Sequence, residues 1–254
     1  MGSKIIQSID RALQVLELFT MEKPEWGVTE ISQALNLYKS SVHNILSTLE
    51  EREFIKKDPI SEKYRLGIKF LLLGNIVDQQ IDVKQEAIPY IGKLVKEFNE
   101  TVHLGILDGN EVLSIDQEDS RQSLRSHINV GQRAPLYCTA VGKALLAYQP
   151  KDKVSSVIKE TGLKRYTENT ITDPEELKEE LKKIREQGYA VDNIEHDEGV
   201  RCVAAPIRDY TGEVIASLSV SGPASRINEK SIPVIAKRVK EYCQEISKKM
   251  GYIT

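Results

Sequence analysis

The sequence predicts a mixed α/β fold: an N-terminal winged helix-turn-helix, a linker helix and a C-terminal α+β domain. The first residues run in the order helix, helix, tight turn, helix and hairpin. A helical pattern then continues almost without interruption to residue 98, and beyond it strand-like and helix-like segments alternate. We therefore assign residues 1–68 to the winged helix, 69–82 to the linker helix and 83–254 to the C-terminal domain.

Length and charge limit the possible functions. The 254 residues suffice for two cores, and 29% charged residues with a formal net charge of −3 are typical of a globular protein. The net charge names no partner, because a short basic surface can lie within a neutral total. No segment is apolar over the length that spans a bilayer, and the first residues lack a signal-peptide pattern. We expect a cytoplasmic protein with no membrane partner.

The cysteines Cys138, Cys202 and Cys243 lie far apart in the chain. They have neither the paired spacing of a disulfide framework nor the spacing of a structural zinc site. Reduced thiols are the expectation for such residues in a cytoplasm. We expect no cofactor and no metal.

The first domain is predicted element by element. A helix is expected over residues 5–19, where three apolar side chains recur at helical spacing: Ile9, Leu13 and Leu16. The turn-rich EKPEWG precedes two further helices, TEISQALN and YKSSVHNILSTLEERE. Asn36 lies in the turn between them, where asparagine tolerates a left-handed backbone. The segment FIKKDPISEKYRLG then predicts two short strands around Asp58-Pro59.

The helix YKSSVHNILSTLEE has the features of a surface that reads nucleic acid. Its apolar residues, spaced i, i+3, i+4 and i+7 from Val42, form a stripe that packs inward. Short hydrogen-bonding side chains on the opposite face suit close approach to base edges and phosphates. Neighbouring glutamates nearly offset the basic residues, so we expect modest phosphate attraction and at least two copies on DNA. The predicted DNA contacts are Thr29, Lys39, Ser40, Ser41, His43, Asn44, Ser47 and Lys63.

The segment IKFLLLGNIVDQQ predicts the linker helix, with an interruption near Ile81-Asp82 before the next helix. Leu71, Leu72 and Leu73 are apolar residues that need burial outside this helix. A second copy of the chain is the simplest partner for them. We therefore expect a homodimer or a dimer of dimers.

Turn signals separate the elements of the C-terminal domain. Asp108-Gly109-Asn110 predicts a hairpin between TVHLGILDG and EVLSID. Tyr210-Thr211-Gly212-Glu213 predicts another between CVAAPIRD and VIASLSVSG. Asp173-Pro174 opens the helix DPEELKEELKKIREQG in N-cap and N1 order. A final amphipathic helix is expected over residues 228–250.

The stretch DNIEHDEGVRCVAAP, residues 192–206, gathers acids, a histidine and a cysteine, and three kinds of site are considered for it. A zinc site would use His196 and Cys202, but no second histidine stands at i+4. A catalytic Cys–His pair lacks any sign of an activated thiolate. A pocket that only binds a ligand accounts for more of the neighbouring residues, so we favour it.

In the pocket interpretation, Cys202 lies on a strand and Asp192 closes a half-buried cavity from the preceding loop. The remaining acids of the stretch are expected to face water. In SLSVSG, strand alternation places Ser217, Ser219 and Ser221 on one face. Three hydroxyl groups on one face suit a polar pocket better than a core.

The segment YCTAVGKALLAY adds a helix start to this predicted pocket. Thr139 is expected to cap the helix, leaving the backbone N–H groups of residues 140–142 free. A helix N-terminus favours an anion such as a carboxylate. Lys143 is expected to be a solvated charge rather than a ligand contact.

Taken together, these segments resemble the IclR-type transcriptional regulators. The matching pieces follow the family's order across most of both domains: SIDRALQVLELF, VTEISQALNLYKSSVHNILSTLEERE, KYRLG, LYCTAVGKALLAY, REQGYAVDNIEHDEGVRCVAAPIRD and SLSVSGPASRI. One position departs from the pattern, because the family commonly has an arginine in the recognition helix where Asn44 stands. A different base preference at that position is therefore implied.

The resemblance also implies a GAF-like C-terminal domain that binds small effectors, often organic acids. The positions that match the family's effector pocket are Ser126, Ala140, Val141, Asp192, Cys202, Ser219 and Ser221.

Three functions are weighed on this basis. The leading hypothesis is a regulator that binds a double-stranded DNA operator at one end and a small effector, an organic or sugar acid, at the other. The second is an enzyme acting on a small acid through the residues between Asp192 and Cys202. The third is a sensor whose winged helix docks proteins. The winged-helix order argues against the enzyme, and the outward Ser/Asn face argues against the docking module.

Overall fold

The computed structural model describes residues 5–20, 22–79, 82–124, 126 and 129–253. The chain divides into two compact units, residues 1–80 and 81–254. The mixed α/β class predicted from the sequence is confirmed, with a helix-turn-helix unit followed by an α+β unit built on one sheet. Among the described residues, the helices include none with the length and apolar character required to cross a bilayer.

The first unit has the predicted element order. Its helices and strands are α1 (Gln7–Glu17), α2 (Val28–Ala34), α3 (Lys39–Glu51), β1 (Ile55–Lys57), β2 (Tyr64–Leu66) and α4 (Lys69–Gln79). Strands β1 and β2 form an antiparallel hairpin, and Asn36 has a φ of 51° in the turn between α2 and α3. The left-handed turn predicted for Asn36 is therefore confirmed. The core consists of Val15, Ile31, Val42, Leu46, Ile55 and Tyr64, with partly buried neighbours.

The apolar stripe of α1 is only partly buried within its own unit. Ile9 is 55% exposed and Leu13 is 52% exposed, whereas Val15 is fully buried. The periodicity therefore predicted the helix correctly, but the side chains that mark it do not all face this core. Ile9, Leu13 and Leu16 border an apolar groove between α1 and α3.

The start of α4 is fixed to the end of α3 and to the turn after it. The Lys69 ammonium donates to the backbone carbonyl of Arg52 at 3.0 Å, and the rings of Phe54 and Phe70 pack edge-on at 5.3 Å. Leu71 and Leu72 are 67% and 61% exposed, so nothing in the described part of the chain covers them. Of the interruption expected near Ile81-Asp82, Asp82 begins the next helix and Ile81 lies outside the described residues.

The second unit is built on a six-stranded antiparallel sheet in the order β5-β4-β3-β8-β7-β6. The strands are β3 (Thr101–Asp108), β4 (Glu111–Glu118), β5 (Arg133–Pro135), β6 (Ala190–Asn193), β7 (Val200–Arg208) and β8 (Val214–Pro223). The two predicted hairpins are confirmed as β3–β4 and β7–β8. Gly109 and Gly212 supply positive φ angles in their turns.

Helices cover both faces of the sheet. They are α5 (Asp82–Phe98), α6 (Ala140–Leu146), α7 (Lys151–Thr161), α8 (Pro174–Gln187) and α9 (Ile232–Lys249). Helices α5 and α9 share one apolar cluster with the sheet, and α6, α7 and α8 share a second. Asp173 caps α8 as predicted, accepting hydrogen bonds from the N–H groups of Glu175 and Glu176 at 2.9 Å. The second cluster is the one that borders the polar cavity described below.

Candidate effector pocket and nucleic-acid face

A row of polar residues crosses the sheet near the C-terminal end of β8. Asp192 pairs with Cys202, Cys202 with Ser221, and Ser221 with Thr101. Asp192 therefore lies on strand β6, and its expected placement in a loop is wrong. The strand is only four residues long and stands between turn-forming residues, which explains why the sequence pattern hid it.

The seven residues that the family resemblance assigns to a pocket all line one cavity of about 80 Å³. Strands β6, β7 and β8 supply Asp192, Cys202, Ser219 and Ser221, and the start of α6 supplies Ala140 and Val141. Ser126 lines the cavity from the segment between β4 and β5. A volume several times that of one water molecule gives room for a small ligand. The fold thus brings these residues together, and their role as effector contacts stays a prediction.

The cavity also contains residues that were not predicted to belong to it. Two of them carry a buried polar atom without a hydrogen-bond partner in the described structure: Nε2 of His103 and Oγ of Ser114. His103 lies opposite Ser219 in the β3–β8 pairing. The alternation of TVHLGILDG, combined with that register, is the signal that would have placed it. Other lining residues that the prediction omitted are Val112, Gln132, Ala134, Thr139, His196, Asp197 and Val200.

Burial sets the protonation of the groups in the cavity. It lowers the pKa of His103 to about 4, so this imidazole is neutral at pH 7. It raises the pKa of Asp192 to about 7, against the effect of the Glu195 N–H, which donates to Asp192 Oδ1 at 2.7 Å. It also raises the pKa of Cys202 well above its usual value. A thiol that stays protonated is a poor nucleophile, which argues against the catalytic interpretation of Cys202.

Lys143 is buried, and its expected role as a solvated charge is wrong. Its ammonium lies 2.6 Å from Glu195 Oε1 and 3.1 Å from Glu180 Oε1. Burial alone would lower the pKa of Lys143, but the two carboxylates outweigh it and raise that pKa. All seven residues of α6 are buried, so Lys143 has no path to water and requires charged partners.

The expectation that the remaining acids of the stretch face water is wrong for Glu195. Glu195 is buried beside Lys143, so it does not face water as expected. Asp197 and Glu198 are exposed, as expected. We call Lys143, Glu180 and Glu195 the ion cluster. It lies next to the cavity, since the backbone of Glu195 binds the Asp192 carboxylate.

The start of α6 offers fewer free backbone donors than expected. Thr139 caps the helix as predicted, but its Oγ1 accepts the N–H of Gly142 at 3.1 Å. Gly142 is therefore occupied, and the expectation that three N–H groups are free is wrong for this one. Ala140 and Val141 remain at the cavity wall.

The geometry gives no support to a metal site in the acidic stretch. No group of three or more His, Cys, Asp or Glu side chains in the described ranges is arranged to hold a metal ion. His196 Nδ1 lies 3.0 Å from Asp197 Oδ2, and the centre of its ring lies 5.0 Å from that of the Tyr166 ring, with the two planes tilted by 40°. The hydrogen bond to Asp197 raises the pKa of His196.

The residues predicted to contact DNA form the outer surface of α3 and its surroundings. On α3, Lys39, Ser40, His43, Asn44 and Ser47 are exposed, whereas Ser41 is half-buried. His43 Nδ1 and Ser47 Oγ lie 3.4 Å apart and are within hydrogen-bonding distance.

Two predicted DNA contacts lie outside α3. Thr29 is exposed on α2. Lys63, beside β2, is 3.5 Å from the carboxylate of Glu30, which also accepts the N–H of Gly27 at 2.7 Å. That N–H, with the nearby lysines, lowers the pKa of Glu30 to about 2. Lys63 therefore forms an ion pair with the ionised carboxylate of Glu30.

Comparison with known proteins identifies relatives of both units. The model for the IclR helix-turn-helix domain matches residues 8–59, and the model for the bacterial transcriptional regulator IclR C-terminal domain matches residues 76–248. The transcriptional regulator KdgR of Escherichia coli is 38% identical over 248 residues, covering 96% of this chain and 94% of KdgR. The regulator XynR of the same organism is 35% identical over 248 residues, covering 98% of both chains.

Solved structures agree with these matches. The crystal structure of the Thermotoga maritima IclR superposes with a TM-score of 0.80 at 34% identity, covering 97% of this chain and 99% of that one. The likeness therefore extends over the whole order of elements and is not confined to one domain.

Proposed function

The chain belongs to the IclR family of bacterial transcriptional regulators, and from this premise we propose that an organic or sugar acid bound in the C-terminal cavity controls its affinity for an operator. Membership of a family of DNA-binding regulators sets aside the enzyme hypothesis.

One observation carries the effector half of the proposal. The polar row of Asp192, Cys202 and Ser221 meets Ser219 and the start of α6 around a single enclosed space. These residues come from segments far apart in the chain, and they present hydroxyl, thiol and carboxyl groups without the geometry of a nucleophile and its base. Such an arrangement suits recognition of a small polar molecule.

The charge of the cavity restricts how an acid can bind. None of the described lining residues is a lysine or an arginine, and His103 is neutral. His196 also lines the cavity and has a raised pKa, but its ring is already paired with the Asp197 carboxylate at 3.0 Å. An effector carboxylate beside an ionised Asp192 would bury two like charges. Asp192 has a pKa of about 7, so it can take up a proton and donate a hydrogen bond to the effector instead. Binding of an acid is then accompanied by proton uptake, and its affinity rises as the pH falls.

Operator binding is assigned to the exposed face of α3. Asn44 stands near the middle of that face, and an amide side chain can pair with both N6 and N7 of adenine. Lys39 is the first residue of α3, and we propose that its ammonium contacts a phosphate. Asn44→Ala should relax specificity at one base pair by about 1–3 kcal/mol, whereas Lys39→Ala should weaken all sequences equally and reduce the salt slope by about 1.

A homodimer or a dimer of dimers is the proposed assembly. In the first unit, α1 and α4 expose four large apolar side chains: Ile9, Leu13, Leu71 and Leu72. Exposed apolar patches on soluble proteins often mark interaction surfaces. Two copies would place two α3 helices on half-sites about one helical turn apart, or a multiple of that distance. Sedimentation of a monomer at micromolar concentration that still binds its operator would contradict this.

The proposed function is tested by ligand screening of the purified chain. Small carboxylic and sugar acids are added at increasing concentration while thermal unfolding is followed, because a ligand of the folded state raises its apparent stability. Acids that stabilise the protein are then added to its complex with an operator obtained by in vitro selection. We expect at least one acid to do both. A protein that binds its operator with the same affinity at every acid concentration would contradict the proposal.

A further inference from the structure

We propose that His103 and Ser114 form the end of the cavity that determines effector specificity, selecting acids that carry hydroxyl groups over alkyl acids of the same length. The inference rests on the proposed effector site and goes beyond it, because neither residue was among the predicted contacts. It concerns the part of the ligand remote from Asp192.

Topology places the two residues together and away from the acidic end. His103 lies on β3 and Ser114 on β4, neighbouring strands on the far side of β8 from Asp192 and Cys202. Both side chains line the same cavity as Asp192. His103 is 5% exposed and Ser114 is 2% exposed, so water does not reach them freely.

The unpaired atoms are the reason to expect a ligand there. Neither Nε2 of His103 nor Oγ of Ser114 has a hydrogen-bond partner in the described part of the chain. Buried polar groups in folded proteins are almost always hydrogen-bonded, and an unmade bond is costly. Two unpaired groups on adjacent strands, both bordering a cavity, indicate a ligand with polar atoms at this end.

The chemistry of the two side chains selects hydroxyl groups. A neutral imidazole and a serine hydroxyl can each act as donor or acceptor, and so can the hydroxyl of a sugar acid. An alkyl chain would leave both protein atoms unpaired. A second carboxylate would lie buried beside the neutral ring of His103. No lysine or arginine is among the described lining residues, and the ring of His196 is already paired with Asp197. The favoured ligand therefore has one carboxylate, at the Asp192 end, and hydroxyl groups at the other.

Calorimetric titration of the full chain with matched acids tests this. The pairs are glycerate and propionate, threonate and butyrate, and gluconate and hexanoate, which differ within each pair chiefly in their hydroxyl groups. We expect the hydroxylated member of at least one pair to bind at least tenfold more tightly. His103→Phe keeps a ring of similar size, and Ser114→Ala removes one oxygen. Each should reduce that preference about tenfold, mainly by weakening the hydroxylated acid.

Ser217→Ala provides the matched control. Ser217 is a buried serine of β8 that donates to the Ala205 carbonyl at 3.0 Å and does not line the cavity, so its expected place among the pocket hydroxyl groups is wrong. Its removal should leave the preference within each pair unchanged. Thermal melts report whether each variant folds. If His103→Phe does not fold, the binding preference of Ser114→Ala tests the inference.

Three results would overturn the inference, and they separate it from the proposed function. If the two members of every pair bind wild-type protein equally, the cavity does not select hydroxyl groups. If the preference exists but survives Ser114→Ala and His103→Phe, other residues cause it. In both cases acid binding itself would stand. If no acid of the series binds, the proposed effector class fails and the inference fails with it.

Discussion

Two buried polar regions lie side by side in the C-terminal unit, and they differ in how their groups are paired. In the ion cluster, Lys143 has two carboxylate partners at hydrogen-bonding distance, and one oxygen atom, Oε2 of Glu195, is left over. In the cavity, His103 and Ser114 lack partners, and Asp192 holds one backbone N–H. The first region is closed by bonds that the chain makes with itself, and the second keeps bonding capacity for another molecule.

Charge separates the two regions as clearly as pairing does. The ion cluster holds a lysine whose pKa its carboxylate neighbours raise, so Lys143 stays charged at neutral pH. Burial pushes His103 and Asp192 in the cavity towards their neutral forms, with pKa values of about 4 and about 7. A paired buried charge serves the fold, whereas neutral groups with free bonds serve recognition. Burial is common to both regions, so the two roles are distinguished by whether the buried groups have hydrogen-bonding or charged partners.

The largest effect is expected from breaking the ion cluster. Lys143→Met keeps the unbranched apolar part of the side chain but leaves Glu195 buried without its cation, which should lower the free energy of unfolding by about 3–5 kcal/mol. Chemical denaturation measures the loss. Adding Glu195→Gln to Lys143→Met should restore part of it, because the uncompensated charge is then removed.

An exposed pair serves as the control for the ion cluster. Lys178 lies 2.6 Å from Glu175 on the surface of α8. Lys178→Met should change the free energy of unfolding by less than about 1 kcal/mol. Equal effects of Lys143→Met and Lys178→Met would show that the buried cluster is not structural.

A smaller effect is expected from the pH dependence of Asp192. Its folded-state pKa of about 7 lies above its ordinary value, so the folded state holds this proton more tightly than the unfolded state. Stability contributed by the protonated form is present at low pH and is lost as the pH rises through about 7. Asp192→Asn removes the titration and keeps an oxygen to accept the Glu195 N–H.

Thermal and chemical unfolding between pH 5 and pH 8 provide the measurement. Without effector, wild-type protein should lose roughly 2.5 kcal/mol more over this range than Asp192→Asn, since one unit of pKa corresponds to about 1.4 kcal/mol. Groups close to Asp192 that also titrate or carry charge are Glu195, Lys143 and His196, and they are unchanged in the variant. Parallel pH profiles for the two proteins would contradict the assignment.

A weaker effect, confined to ligand binding, is expected from Cys202. Cys202→Ser nearly preserves the shape of the side chain, so a binding pocket should tolerate it with less than about a tenfold change in effector affinity. Titration calorimetry with an acid that binds wild-type protein measures it. Loss of stoichiometric metal, or of effector turnover, on this substitution would return the acidic stretch to the metal or enzyme interpretation.

Local signals in the sequence predicted much of the fold. Turn residues predicted both hairpins, Asp173 and Thr139 predicted helix caps, and Asn36 predicted a left-handed turn. Each of these features depends on residues within a few positions of one another. Strand alternation was also enough to group Ser219 and Ser221 with Cys202, because β7 and β8 are consecutive strands of one hairpin.

Features that depend on distant partners could not be predicted in this way. The carboxylates that allow Lys143 to be buried lie 37 and 52 residues further along the chain. His103 belongs to the cavity only because β3 pairs with β8, more than a hundred residues away. The exposure of Ile9 and Leu13 could not be predicted either. Their helical spacing predicted α1 correctly, but it does not show which side chains of the stripe the rest of the unit covers.

The central claim is that the Asp192 cavity senses an acid and controls operator affinity. The most direct measurement is fluorescence anisotropy of a labelled operator, titrated with wild-type and Asp192→Ala protein across a series of effector concentrations. Without effector, Asp192→Ala should bind the operator as tightly as wild type does. It should require roughly tenfold to a hundredfold more effector for the same change in operator affinity, because it loses about 1.5–3 kcal/mol of a hydrogen bond to a charged group. Identical effector dependence in the two proteins would place the sensing site elsewhere and contradict the account.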